Sequence, residues 1–566
     1  MTGPSAGGRP NILWISTHDI NPDLGAYAGV WPGAEVAHTP HLDALAAAGV
    51  RFDQAFATTP VCAPSRSALL TGCFPTSIGT HQMRTKAVPP PEVRLLSEYF
   101  RMAGYYATNN WFTDFQVHLP GTAFDECSPT AHWRGRPDPE TPFFATFHGM
   151  TTHEGQLYLS DEEFDRVTAG LPDAQRHDPA TVPIPPYHLD TEAFRTAWAR
   201  YHDLISVMDA WVGDLLGQLD DDGLAENTIV VFWSDHGAGF PRMKRAATEA
   251  GLRVPVIVRW PGRLTGGQVR TDVVHLADLG PTMLAMAGVP VPEHLQFSPL
   301  FDADGRALSQ GRYAFGGRDR MDEQRDSSRT VRDERFRLIR HRHPDRSPLQ
   351  HQHFAERFPT WHDLRTAVND EARQRAAGLR PDRLTPLQRR VTGECKPEIE
   401  LYDVAADPHE TTDLAGDPGY AEVVARLLSA LDEWLERTGD LGAVAEDDLA
   451  EQWRPDGVEP RTAAPTAALD ESAAIVLTCE TPGALIGWST EPPETERELS
   501  LQQRINGEPA EPIGWRIATG PIDLPEGATL WLRAWRLGIG PSPIVAVRRG
   551  GSDNAILEVA TEGAGV

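Results

Sequence analysis

Two short apolar runs, each closing on charged residues, constrain this chain more than any other feature. Residues 11–17 (NILWIST) end at His18 and Asp19, and residues 227–233 (NTIVVFW) end at Ser234-Asp235-His236-Gly237. Such runs suit strands buried on both faces of a parallel sheet, a fold that places its sites beyond the carboxyl ends of its strands. Helical spacing alternates with them. Leu42, Leu45 and Ala46 share one face within residues 41–48, and from 196 to 219 apolar residues from Trp198 to Leu219 recur with helical period. A strand at 254–260 and a helix near 278–287 continue the pattern. The fold expected is α/β, a mostly parallel sheet with helices on both faces.

The chain is 566 residues long, more than one ordinary domain, and further material follows the α/β part. The α/β domain is read as residues 1–310 and a smaller α+β subdomain as 311–440. In the latter, residues 310–395 read as arginine-rich and irregular, 400–403 as a strand and 421–437 as a helix. Residues 441–466, rich in Ala, Pro, Asp and Glu, read as a linker. Residues 467–566 carry short strand-like runs separated by Gly, Pro and Glu, as in a small all-β sandwich.

The formal charge of -28 argues against nucleic-acid or anionic-membrane partners, so an anionic substrate requires a local basic pocket. The first residues lack the charged-then-apolar pattern of a secretory signal, and no apolar run reaches the ~18 residues of a membrane span. A cytoplasmic location is the expectation. Five scattered cysteines do not suggest a disulfide framework.

One of them stands in the most informative stretch, Cys62-Ala63-Pro64-Ser65-Arg66-Ser67-Ala68-Leu69-Leu70-Thr71-Gly72. Pro64 suits a first helical turn, which puts Cys62 at a helix N-terminus, where free N–H groups and the dipole favour an anion. From the residues alone this is an anion site with a low-pKa thiolate, or a buried small hydrophobe beside a helix start.

The stretch resembles the C-x-P-S-R-x-x-x-x-T-G signature of type I sulfatases, in which a separate formylglycine-generating enzyme oxidises the cysteine. Asp19, Thr39-Pro40-His41-Leu42-Asp43, Ser234-Asp235-His236-Gly237, Val254-Pro255, Trp260-Pro261-Gly262 and Pro408-His409-Glu410 agree in order over about residues 9–440. Thr80-His81-Gln82-Met83-Arg84 and Glu400-Leu401-Tyr402-Asp403 are similar to bacterial relatives of heparan N-sulfatase. Residues 467–550 resemble the small β modules found after sulfatase domains and at the ends of bacterial chitobiases.

The resemblance implies an alkaline-phosphatase-like fold and hydrolysis of a sulfate ester or sulfamate on a saccharide or other small molecule. It implies a divalent cation, usually calcium, held by His18, Asp19, Cys62 as formylglycine, Asp235 and His236, with His18 in place of an acid opening the site to manganese or another divalent cation. It assigns Arg66 to the formylglycine hydrate, Lys244 to the sulfate, His153 to the leaving group, and His81 to the second hydroxyl or the pocket wall. His18 stands where the family carries an acid, and Phe112 where relatives carry a sulfate-binding lysine. Arg84, Lys86 or an arginine from 318 to 332 is expected to compensate. Two other readings stay open: a phosphonate monoester or phosphodiester hydrolase on the same scaffold, and a catalytically degenerate binding protein.

Overall fold

The computed structural model describes residues 8–493 and 513–550, with the backbone of a last strand at Ile556–Thr561. Eight strands form the main sheet: β1 (Asn11–Thr17), β2 (Val50–Phe56), β3 (Tyr106–Asn110), β4 (Glu126–Cys127), β5 (Phe143–Gly149), β6 (Thr228–Ser234), β7 (Arg253–Arg259) and β8 (Gln268–His275). Their order is β4-β3-β5-β1-β6-β7-β2-β8, and every neighbouring pair is parallel except those that β7 makes with β6 and β2.

The apolar runs follow from this arrangement. Strand side chains alternate between faces, so a sheet covered on both sides needs an apolar residue at every position. Ile12 and Trp14 join Phe100, Phe144 and Trp233 on one face. Leu13 and Ile15 join Leu204, Ile205, Met208 and Phe232 on the other, beneath the long helix Glu192–Asp221. Register then positions the site. Thr17 pairs with Gly149 on one side and Ser234 on the other, so the three central strands end level. They deliver residues 18–19, 150–154 and 235–236 to one edge.

A second, antiparallel sheet is built from Ala314–Arg318, Ser328–Arg332, Phe336–His341 and Ile399–Asp403. The helix Ala421–Thr438 lays Leu427, Leu431 and Trp434 against its Val331, Leu338 and Leu401. The expectation of an irregular 310–395 is corrected: three strands and the helices Pro359–Ala376 and Pro386–Val391 lie there. Hydropathy misses the strands because their buried positions include Arg318, Arg329, Arg332 and Arg337, each set against a carboxylate.

The segment 441–466 contains the helix Glu446–Trp453, which is fastened rather than loose. Glu446 receives Arg320 at 2.6 Å, and a side chain at Gly79 would overlap the Trp453 ring. Beyond it lie a two-stranded pair and a five-stranded antiparallel sheet. This sheet packs on the main body: Arg101 donates to Trp515 O (2.8 Å), Arg536 donates to Pro89 O (2.8 Å), and Leu537 enters the main core. Among the described residues no helix is long and apolar enough to cross a membrane.

Candidate active site

Cys62 opens the helix Cys62–Thr71 at the carboxyl edge of the central strands. Ser65 Oγ donates to Asp235 O (2.6 Å), tying the first helical turn to the residues after β6. Asp19 adopts a left-handed backbone (φ 54°), and its N–H donates to Asp235 Oδ1 at 3.1 Å. The two acidic turns therefore face each other.

His236 Nε2 lies 3.2 Å from Cys62 Sγ and 3.3 Å from Asp19 Oδ1. Its Nδ1 sits 2.9 Å from Gly237 O, which can only accept. The proton is thus on Nδ1 and the Nε2 lone pair faces the cluster, the orientation a metal-ligating imidazole needs. Burial lowers its affinity for a second proton. His18 Nδ1 lies 3.0 Å from Asp235 Oδ2.

Burial opposes charge on both aspartates. Lys244, His153 and His236 nevertheless hold Asp19 below the usual carboxylate range, and His236, His18 and Arg66 hold Asp235 well below it. His18, Asp19, Cys62 and Asp235 each offer a ligand atom, all within 4.8 Å of one another. His18 Nε2 is buried without a hydrogen-bond partner among the described residues. Two ionised carboxylates and a cluster of converging ligand atoms around one point suit a divalent cation.

The thiolate reading is corrected. Burial pushes the Cys62 thiol well up, and Asp235 and Asp19 add to this against the pull of Lys244. The helix N-terminus does not prevail over two carboxylates in a dry setting.

On the other side of Asp19, Lys244 Nζ lies 2.7 Å from Asp19 Oδ2 and 3.0 Å from Glu154 Oε1. Arg245 forks Glu154 at 2.7 and 2.8 Å. Burial together with Lys244 lowers His153 to about 4, so its ring is neutral near pH 7. Gly155 N–H donates to His153 Nδ1 (3.3 Å), which leaves the proton on Nε2.

Arg66, 1% exposed, donates to Thr113 O (3.0 Å) and Phe112 O (3.3 Å), and its Nη2 lies 3.2 Å from His148 Nδ1. All three acceptors are neutral, and Nη1 has no partner among the described residues. A buried guanidinium without a paired carboxylate favours an incoming anion.

The Phe112 ring meets His18 edge-on at 4.9 Å and lies under Arg66 at 5.2 Å. The two positions expected to depart from the family pattern thus touch. The expectation that an arginine from 318 to 332 compensates meets a physical obstacle. Arg318 faces Asp326, Arg320 Glu446, Arg325 Asp447, Arg329 Asp319 and Asp440, and Arg332 Glu249. Arg84 and Lys86 are exposed.

The structure brings His18, Asp19, Cys62, Arg66, His153, Asp235, His236 and Lys244 together. His81 is buried with Asp319, Arg329 and Asp440 as charged neighbours, and no hydrogen bond or ion pair joins it to Cys62, Asp19 or Asp235 among the described residues. Sequence reasoning missed Glu154, Arg245 and His148. The only signal was adjacency: Glu154 follows His153 and Arg245 follows Lys244.

A largely parallel sheet with two acidic turns and a helix-borne cysteine at its carboxyl edge fits the alkaline-phosphatase-like fold. Residues 10–289 match the Sulfatase family, and residues 240–349 match the N-sulphoglucosamine sulphohydrolase C-terminal region. The chain is 35% identical to an ulvan-active sulfatase of Formosa agariphila, over 95% of this chain and 91% of that one. It is 29% identical to human N-sulphoglucosamine sulphohydrolase, over 76% and 91%. Among solved structures, the phosphonate monoester hydrolase of Agrobacterium radiobacter superposes with a TM-score of 0.55 at 18% identity, covering 84% of this chain and all of that one. The chain belongs to the sulfatase family, hydrolases of sulfate-ester or sulfamate bonds.

Proposed function

We propose that this sulfatase acts on a sulfated saccharide through a formylglycine made from Cys62 by a formylglycine-generating enzyme. The observation that carries the reading is the placement of Cys62 Sγ, 3.2 Å from His236 Nε2 and 4.0 Å from Asp19 Oδ1. As a thiol this group is poorly ionised. Its Sγ stands in for a hydroxyl oxygen of the aldehyde hydrate.

His18, Asp19, Asp235, His236 and the modified Cys62 would hold the cation, which when bound offsets charge on the nucleophile and the sulfate oxygens. Two imidazoles beside two carboxylates are a softer donor set than the oxygen ligands calcium takes, which favours a transition-metal cation, such as manganese, over calcium. Lys244 and Arg66 hold the sulfate oxygens and the hydrate. One hydroxyl passes its proton to Asp19 Oδ1, the carboxylate oxygen that Cys62 Sγ faces, and attacks sulfur as the bond to the leaving atom breaks. His153, neutral in the free site, donates a hydrogen bond from Nε2 to that atom. An oxyanion bound against Lys244 raises the ring's affinity for a second proton, which the leaving group then takes. The other hydroxyl loses its proton to water, the carbonyl re-forms, and sulfate departs; addition of water restores the hydrate. A serine could not perform that release.

Names of the relatives support the saccharide: ulvan-active sulfatase and N-sulphoglucosamine sulphohydrolase. Mass spectrometry of the Cys62 peptide, from protein made in its own host, tests the nucleophile. Parallel assays of sulfate, sulfamate, phosphonate and phosphodiester substrates test the reaction. Turnover of phosphorus esters alone overturns the proposal.

A further inference from the structure

Glu154 is 1% exposed and lies beside the cluster without belonging to the donor set proposed for the cation. Four contacts converge on it. Its carboxylate takes both arms of Arg245 (2.7 and 2.8 Å) and lies 3.0 Å from Lys244 Nζ. Its own N–H donates to Asp19 Oδ2 (2.8 Å), the same oxygen that Lys244 Nζ approaches at 2.7 Å. The backbone around it has little freedom. A methyl on Gly239 would overlap Glu154 Cβ, and Arg245 N–H is tied to Pro60 O at 2.7 Å, two residues before Cys62.

Lys244 thus sits between two carboxylates that need different things from it. A lysine is a flexible point charge, and with one partner it closes on that partner. Without Glu154 the ammonium has Asp19 alone and turns from the side where a sulfate oxygen would arrive. Arg245 completes the device. By forking Glu154 it cancels the carboxylate's charge, so Glu154 guides Lys244 without repelling an anion.

We propose that Glu154 is a positioning residue that holds Lys244 between its own carboxylate and Asp19 and so aims it at the sulfate, with Arg245 as its neutralising partner. This rests on the reading of Lys244 as the sulfate-binding cation.

Glu154→Gln alone leaves the buried Arg245 with only the more distant Asp322 carboxylate (3.6 Å), a change that destabilises a fold. The informative variant is the double exchange Glu154→Gln with Arg245→Met, which removes one charge of each sign and leaves the net field near the sulfate unchanged. Inorganic sulfate binding to the full-length chain is measured by titration calorimetry, with KM and kcat on 4-nitrophenyl sulfate alongside. The double variant is expected to bind sulfate at least tenfold more weakly, with the loss concentrated in KM. Sulfate binding within twofold of the unaltered chain overturns the proposal, since a purely structural pair predicts that result. Should the double variant fail to fold, Glu154→Asp keeps the charge but shortens the reach to Lys244. Weaker sulfate binding there supports the proposal and unchanged binding refutes it. If the unaltered chain itself binds no sulfate, the reading of Lys244 fails, which is a different outcome.

Discussion

Replacing Glu249 by glutamine tests whether buried charge pairing, beyond apolar contact, joins the second sheet to the loop that carries Lys244. Glu249 is 1% exposed and opens the short helix Glu249–Leu252 just after that loop. Its Oε2 accepts from Arg332 Nε (3.1 Å) and from Arg337 Nε (3.1 Å) and Nη2 (2.8 Å), while Oε1 lies 3.4 Å from Arg253 Nη1. Burial opposes its charge, yet Arg332, Arg337 and Arg253 outweigh burial and hold the carboxyl at about 2 in place of 4.5. That depression corresponds to about 3 kcal/mol in favour of the ionised form. It matches the roughly 3–5 kcal/mol expected for removing one partner from a buried pair. Glu410 tempers the loss. It accepts the Glu249 N–H (3.0 Å), lies 3.6 Å from Arg337, and is pushed up to about 7 by burial, so it gains charge once Glu249 has none. The expected cost of Glu249→Gln at pH 7 is therefore about 2–3 kcal/mol. A carboxyl depressed in the folded state contributes fully above its unfolded value of 4.5, and the contribution fades as pH falls toward 2. The gap between the two proteins should shrink to about half or less by pH 3. Urea unfolding followed by tryptophan fluorescence measures it, because Trp434 is buried in the subdomain this cluster fastens. A loss under about 1 kcal/mol at pH 7, or a gap as large at pH 3 as at pH 7, refutes the reasoning.

Two further outcomes follow from the site. Cys62→Ser supplies one hydroxyl and no second, so the enzyme should transfer sulfate once and stop, visible as a protein heavier by one SO3 in intact-mass analysis; sustained turnover contradicts the hydrate mechanism. His153→Gln should slow an alkyl or sugar sulfate by about a hundredfold or more while sparing 4-nitrophenyl sulfate, whose leaving group needs little protonation. Equal losses on both substrates count against a role at the leaving atom.

The central sheet was legible because each buried strand must be apolar at every position, and because chemistry at its carboxyl edge leaves charged residues at fixed places after the apolar run. Asp19, Asp235 and His236 were visible for that reason, and Cys62 for the helix start that Pro64 marks. What escaped is held by charge pairing. The strands at Ser328–Arg332 and Phe336–His341 bury Arg329, Arg332 and Arg337 against Asp319, Asp440 and Glu249, partners 10 to 111 positions away in sequence. Hydropathy scores these residues as exposed. The helix Glu446–Trp453 was hidden in the same way, since Arg320 holds its first residue.

The same logic explains why the reaction centre could be read only in part. Its donor atoms come from the ends of strands, where sequence spacing and spatial spacing agree. Its control comes from residues whose partners are remote. Glu154 has no meaning as a letter beside His153 until Lys244 and Arg245 are seen to share its carboxylate. Phe112 looks like the loss of a lysine until its ring is found against His18. An acid at position 18 would add a third negative charge beside Asp19 and Asp235, and a cation at 112 would be its natural counterweight. An imidazole packed on a phenyl ring needs none. The two expected departures are in contact and together leave the local charge balanced, which a position-by-position reading counts as two defects.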